Sequence, residues 1–133
     1  MNRSQARAAA KAALQGLALF KLIKTGTAGT FGGASPVAII TSGGIERVRG
    51  ARAVWSDVDA IRVTVYVARP AGSEEAAEDT LDAAVLATLG ALDGLHDSIV
   101  FRASDATQRN RLIDGIVYRN ETLTFSVIDE VAA

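Results

Sequence analysis

The stretch GTAGTFGGASP, from Gly26 to Pro36, puts glycines at positions 26, 29, 32 and 33, a density met where backbone N–H groups close around a phosphate. Such cradles work because a strand-to-helix turn aims several N–H groups at one anion with the positive end of a helix dipole behind them. The spacing here matches neither G-x-G-x-x-G nor G-x-x-x-x-G-K-[ST], and no lysine follows. The stretch also reads as leaving a helix and entering a strand, which sets the negative end of a helix behind it. Its expected role is a C-cap at Gly26, where a positive φ is needed, and then a flexible loop that shifts when a neighbouring surface arrives.

Nucleophilic and metal chemistry have few residues to draw on. The chain has no cysteine and one histidine, His96, so neither a thiolate zinc site nor a histidine cluster is available. His96 is followed by Asp97 and Ser98 at the end of a helical segment, but sequence neighbours do not make a triad, whose roles are filled in space; a solvated cap residue is the simpler reading. The acids from Glu74 to Asp82 read as the solvated start of a helix, where the dipole favours them. No pattern calls for a catalytic residue, a cofactor or a metal.

The elements that would position any site follow from periodicity. Residues from Ser4 to about Lys24 read as a first helix, capped by Asn2 or Ser4, with Ala6, Ala10, Ala13, Leu14, Leu17 and Phe20 on one face. VAIITS, Val37 to Ser42, is short, β-branched and bounded by Pro36 and Gly43-Gly44, as strands are. An irregular segment follows, partly strand, and then AIRVTVYVARP, in which Ile61, Val63, Val65 and Val67 alternate with Arg62, Thr64, Tyr66 and Ala68. Ser73 opens a second helix that ends near Gly94, its apolar stripe formed by Leu81, Val85, Leu89 and Leu92. SIVFRAS, LIDGIVYR (Leu112 to Arg119) and ETLTFSVID (Glu121 to Asp129) read as three closing strands. The whole is an α+β domain over residues 1–133, an antiparallel sheet of four to five strands with two helices packed on one face. The absence of regular βαβ alternation counts against a parallel nucleotide-binding sheet.

Charge is balanced overall, 14 basic against 15 acidic side chains, so the chain is no general trap for nucleic acid. Its arrangement is uneven. The first helix region carries Arg3, Arg7, Lys11, Lys21 and Lys24 and no acid, whereas the start of the second carries Glu74, Glu75, Glu78, Asp79 and Asp82 and no base. Arg7 and Lys11 on one copy and Glu74, Glu75 and Glu78 on the next would form a heterologous contact of the kind that closes into a ring. A third group, Arg47, Arg49 and Arg52 with the single tryptophan, Trp55, combines residue types enriched at interfaces. No apolar run approaches the roughly 18 residues that span a bilayer, and Gln15 with Lys21 and Lys24 breaks the only signal-like stretch, LQGLALF. A soluble protein without membrane contact is expected.

In layout the chain resembles the tail terminator (tail completion) proteins of long-tailed bacteriophages. The likeness covers nearly its whole length. It lies in the RAAAKAALQGL helix, the loop ending in proline before SPVAII, an arm, the cadence IRVTVYVARPAG, the acidic-to-apolar helix EEAAEDTLDAAVLATLGAL and the closing LTFSVIDEV. The resemblance implies a non-enzymatic virion protein, assembled in the host cytoplasm, that forms a hexameric ring on the tail tube. Such a ring ends tube growth and offers a surface to the head–tail connector, while DNA passes through its lumen without sequence-specific contact. It also implies that the arm, around residues 43–57 and chiefly Ile45 to Asp57, meets the tube or a neighbouring subunit, unless its arginines look into the lumen. A head-closure or connector ring, and a small α+β enzyme or ligand-binding domain, are the alternatives.

Overall fold

The computed structural model describes residues 1–26, 29–49, 55–69, 74–106 and 110–131, of which 46–49, 55–58 and 129–131 by their backbone alone. The elements run α1 (Arg3–Gly16), β1 (Leu22–Thr25), β2 (Val37–Arg49), β3 (Trp55–Ala68), α2 (Glu74–Leu92), β4 (Ile99–Asp105), β5 (Asn110–Ile113) and β6 (Ile116–Val131). One sheet holds all the strands in the order β1-β2-β3-β6-β4. β5 pairs with the end of β6 beyond the stretch taken by β4, so the two follow one another along the same side of β6. Both helices lie on one face, and the α+β class expected from the sequence is the observed one.

Why β3 is central is legible in its own residues. Ile61, Val63, Val65 and Val67 are all buried and join Ala38, Ile40, Leu123, Phe125 and Val127 from the neighbouring strands in one core. The helices close that core with small residues where they approach closely, Ala6 and Ala10 on α1 and Ala77 and Ala84 on α2, and with Leu14, Leu81 and Leu92 between them. Thr88, buried in α2, satisfies its hydroxyl on the Ala84 carbonyl at 2.8 Å, as threonine does inside helices.

Several expectations change. The first helix stops at Gly16 rather than near Lys24: Asn2 caps its start in a reciprocal box with Gln5, and Ala18 ends it in the left-handed region at φ 53°, as C-caps do. The freed Leu22–Thr25 becomes β1, and it pairs parallel with β2 from Leu22 beside Val37 to Thr25 beside Ile40. Ile23 then packs into the helix-side core and Leu22 into the cluster on the opposite face, as strand alternation requires. Gly26 accordingly keeps its positive φ, 107°, at the end of a strand and not of a helix.

The sheet also has six strands instead of four to five. LIDGIVYR is no single strand: Asp114 and Gly115 sit at φ 52° and 76° and turn the chain back so that Ile113 faces Ile116, the Asp-Gly hairpin geometry. From Ile116 the chain runs unbroken as β6 through both expected strands to Val131.

The glycine-rich loop covers part of the sheet face that the helices leave open. Phe31, 4% exposed, plugs a second cluster with Val37, Ile39, Tyr66, Ile113 and Tyr118. Its ring meets Tyr66 and Tyr118 edge-on at centroid distances of 5.0 and 5.1 Å, a favoured aromatic geometry. Polar ties hold the described part of the loop along its length. The Phe31 N–H donates to Asp114 at 3.1 Å, the Tyr118 hydroxyl to the Ala34 carbonyl at 3.0 Å, the Ala68 N–H to Ser35 Oγ at 2.9 Å and Lys24 Nζ to the Thr30 carbonyl at 2.6 Å. A flexible hinge was expected, and a packed cover is found.

Two substitutions test these accounts. Ala18→Gly relieves the Cβ crowding of a left-handed residue and should raise unfolding stability by about 0.5–1 kcal/mol, read by denaturant unfolding. Phe31→Ala should cost about 3 kcal/mol or more and expose Tyr66 and Tyr118 to solvent; a loss below 1 kcal/mol would show the loop to be an unpacked tether.

Candidate functional site

The arm is an extension of the sheet itself. Past Asp59, β2 and β3 continue as a hairpin from Ile45 beside Asp59 to Arg49 beside Trp55, and β6 runs beside β3 all the way, reaching Val131 opposite Trp55. Beyond Asp59 the three strands go on pairing as a ribbon, while the described helix-side core reaches Ile61, Ile99 and Val127. At about 3.3 Å per residue, the stretch from Glu46 to Arg49 carries it roughly 13 Å further.

The junction between body and ribbon is built from specific residues. The β2–β3 register shifts between Ser42 and Ile45, a bulge of the kind that bends and twists a strand. Gly43 is required there, since a Cβ on it would lie 2.6 Å from the Cβ of Ala60 and 3.3 Å from its carbonyl oxygen. Arg3 reaches down from α1 to the Gly43 carbonyl at 2.9 Å, and Arg7 donates to the Ser42 hydroxyl. Beside the bulge lies Asp59, 5% exposed and the one charged side chain in the core among the described residues.

Register puts the arm residues in a setting the linear sequence hides. Arg47 lies opposite Asp57, which lies opposite Asp129; Val48, Ser56 and Glu130 share the next row, and Arg49, Trp55 and Val131 the last. Arg47 and Arg49 thus stand on paired strands whose rows also carry Glu46, Asp57, Asp129 and Glu130, acids among the bases. Arg52 lies outside the described residues, as does Ser73, the expected cap of the second helix.

The proposed acidic partner surface is narrower than the sequence implied. Glu74 forms an ion pair with Arg69, and Glu78 with Arg119, which is three-quarters or more buried. Both are thus engaged within the molecule, fastening α2 to the ends of β3 and β6. Glu75 is exposed on the first turn of α2. On the basic side Arg7 is committed to Ser42, and Lys11 is half-buried on α1. Among the residues expected to pair between copies, Lys11 and Glu75 carry no such internal tie.

The remaining chemistry-bearing residues fall apart in space. His96 is exposed in the α2–β4 turn, its Nδ1 accepting from the Ser98 N–H at 3.1 Å, which is a local turn contact. Among the described residues no group of three histidine, aspartate or glutamate side chains could hold a metal ion, and no helix is long and apolar enough to cross a membrane. The glycine loop passes from strand β1 to strand β2, so no helix N-terminus stands behind it to favour a phosphate. A strand precedes the loop where a helix was expected, and the strand after it, as expected, leads to the same exclusion.

Tyr118 is a group whose acidity the fold alters. Burial, and then the negative charge of Asp114, push its pKa above the ordinary tyrosine value, because both disfavour a phenolate. With the folded pKa raised, the stabilisation is complete below the unfolded value of about 10 and is lost as pH rises through the folded one. Stability should therefore fall above about pH 10, with Tyr118→Phe flattening that alkaline limb in urea unfolding followed against pH. An unchanged limb would place the alkaline loss elsewhere.

A scan against models of known protein families finds no match to this chain, and a search of curated proteins finds none either.

Proposed function

We propose that this chain is a ring-forming structural subunit that caps the tail tube of a long-tailed bacteriophage, ends its polymerisation and joins it to the head connector. The observation that carries the reading is the ribbon of β2, β3 and β6 running on past the described helix-side core. A three-stranded extension of the sheet is an element that a subunit gripping a neighbour or a tube rim can use. The layout resemblance of the whole chain points the same way, and a hexameric ring around a DNA-conducting lumen is what it implies. The mixed charge of the ribbon favours protein contact over a lining of arginines for DNA, since a phosphate-facing surface needs an excess of cations. No catalytic step is assigned to it.

Glu46 and Val58 face one another in the ladder, so residues 47–57 can be replaced by Asn-Gly, a two-residue hairpin turn, without disturbing the rows below. The shortened protein should keep its circular-dichroism spectrum and cooperative unfolding yet fail to bind the ends of isolated tail tubes in negative-stain images. Capping of tubes by the shortened form would remove the arm from the mechanism. Labelled full-length protein found along the tube, instead of at the head–tail joint, would sink the terminator reading altogether. For the ring itself, Glu75→Lys should lower the assembled mass measured by light scattering at low salt, and Glu75→Lys with Lys11→Glu should restore it.

A further inference from the structure

The sheet has a step in its edge. β1 covers the outer side of β2 only from Val37 to Ile40, while β2 continues to Arg49. At the step lies a cleft of about 330 Å³ lined by Arg7, Thr25, Gly26, Ile40, Thr41 and Ser42, at the lower end of the volumes that hold ligands. One end is closed by β1 itself, whose last described ladder bond runs from the Gly26 N–H to the Ile40 carbonyl at 3.0 Å. The other end opens along β2 towards the arm.

Three kinds of group meet in this cleft. Strand alternation turns the backbone N–H and C=O of Ser42 to the side on which Ile40 accepts from Gly26, so the ladder position after β1 faces the cleft. Thr25, Thr41 and Ser42 bring hydroxyls. Arg7, half-buried, brings a guanidinium whose contact with Ser42 uses one of five N–H donors, and Arg3 sits one helical turn away on the Gly43 carbonyl. A backbone edge beside a guanidinium is the equipment for adding a strand that ends in a carboxylate.

Direction follows from the closed end. A segment that extends along β2 from the arm side must stop at Gly26. If it ran parallel to β2 its amino terminus would lie at the stop, beside two cationic guanidiniums. If it ran antiparallel, its carboxyl terminus would lie there, within reach of the fork of Arg7 and the hydroxyls of Thr25 and Ser42. Charge complementarity selects the second.

We propose that the step between β1 and β2 is a docking cleft for the free C-terminus of a partner polypeptide, which adds antiparallel to β2 and sets its terminal carboxylate against Arg7. The site lies on the body of the domain and does not depend on the ring or the arm.

The test uses the isotope-labelled full chain and the acetylated peptide Thr-Val-Thr-Val, once with a free carboxylate and once as the C-terminal amide. The free acid should move the amide signals of Gly26, Thr41 and Ser42 and bind about tenfold more tightly than the amide, the weight of one charge-assisted pair. Arg7→Gln should abolish that preference, and Arg7→Lys should keep part of it. Should Arg7→Gln fail to fold, the acid-against-amide comparison on the unaltered chain and Arg7→Lys decides alone. Equal binding of acid and amide, movement of signals elsewhere, no binding, or a preference that survives Arg7→Gln overturns the proposal. Shifts of the same signals with protein concentration and no peptide would seat a second copy in the cleft, and overturn the assignment to a partner.

Discussion

The pairing of β3 with β6, continuous from Trp55 beside Val131 to Ala68 beside Tyr118, is the interaction on which the other parts are hung. Backbone groups buried in a sheet must find partners, and this ladder supplies them along the full 14 residues of β3. It also fixes the alternation of side chains on both strands. Once Val63 and Leu123 face the helices, Thr64 and Thr122 must face away, and their hydroxyls bond to each other at 2.9 Å. A shift by one residue would bury the threonines and expose the valines, so the register is held by the whole core.

The two faces of the sheet are then closed by different means. Helices cover one, their alanines allowing close approach and their leucines filling the volume between. Among the described residues the other is covered at one end, by a loop whose glycines let the backbone turn and whose Phe31 supplies the apolar area. This division explains the form of the loop: a chain that must pass from β1 to a parallel β2 without a helix has to cross the sheet, and Phe31 in its aromatic cluster holds it there together with the ties to Asp114, Tyr118, Ala68 and Lys24. β2, an edge once β1 has ended, and the edge strand β4 each carry a register irregularity, at Ser42/Ile45 and at Phe101/Ala103, a device that hinders open-ended strand addition. The cleft beside Arg7 lies just before the first of these, where the edge is still regular.

Much of the architecture was legible because its signals are local. Alternation in IRVTVYV and LTFSV gave two strands and their inward faces, and the acids followed by a leucine stripe gave α2. The N-cap at Asn2 was one of two named. Where the reading failed, a local signal was outweighed by a distant one. The alanine- and leucine-rich segment continues in helical character to Lys24, yet Leu22 and Ile23 gain more by joining Val37 and Ala38 in the sheet than by extending a helix past Leu17. The Asp-Gly pair at 114–115 was a hairpin signal on the page, and its message was obscured by the β-rich residues on either side. As for the candidate site, Glu46 and Asp57 lie within the segment read from the sequence, whereas Asp129 and Glu130 join it only through β6, more than seventy residues away from Arg49 in sequence.

By itself the sequence determined the α+β class, the central alternating strand, the second helix and the exclusion of thiol and histidine-cluster chemistry, since each depends on composition or on periods of two to four residues. Only the tertiary structure decided that Leu22–Thr25 is a strand, that the glycine stretch is a packed cover, that Glu74 and Glu78 are tied to Arg69 and Arg119, and that a cationic cleft opens beside Arg7. Each of those is a contact between residues far apart in the chain. Its free energy comes from desolvation and geometry set by the assembled core, which no window of neighbouring residues contains.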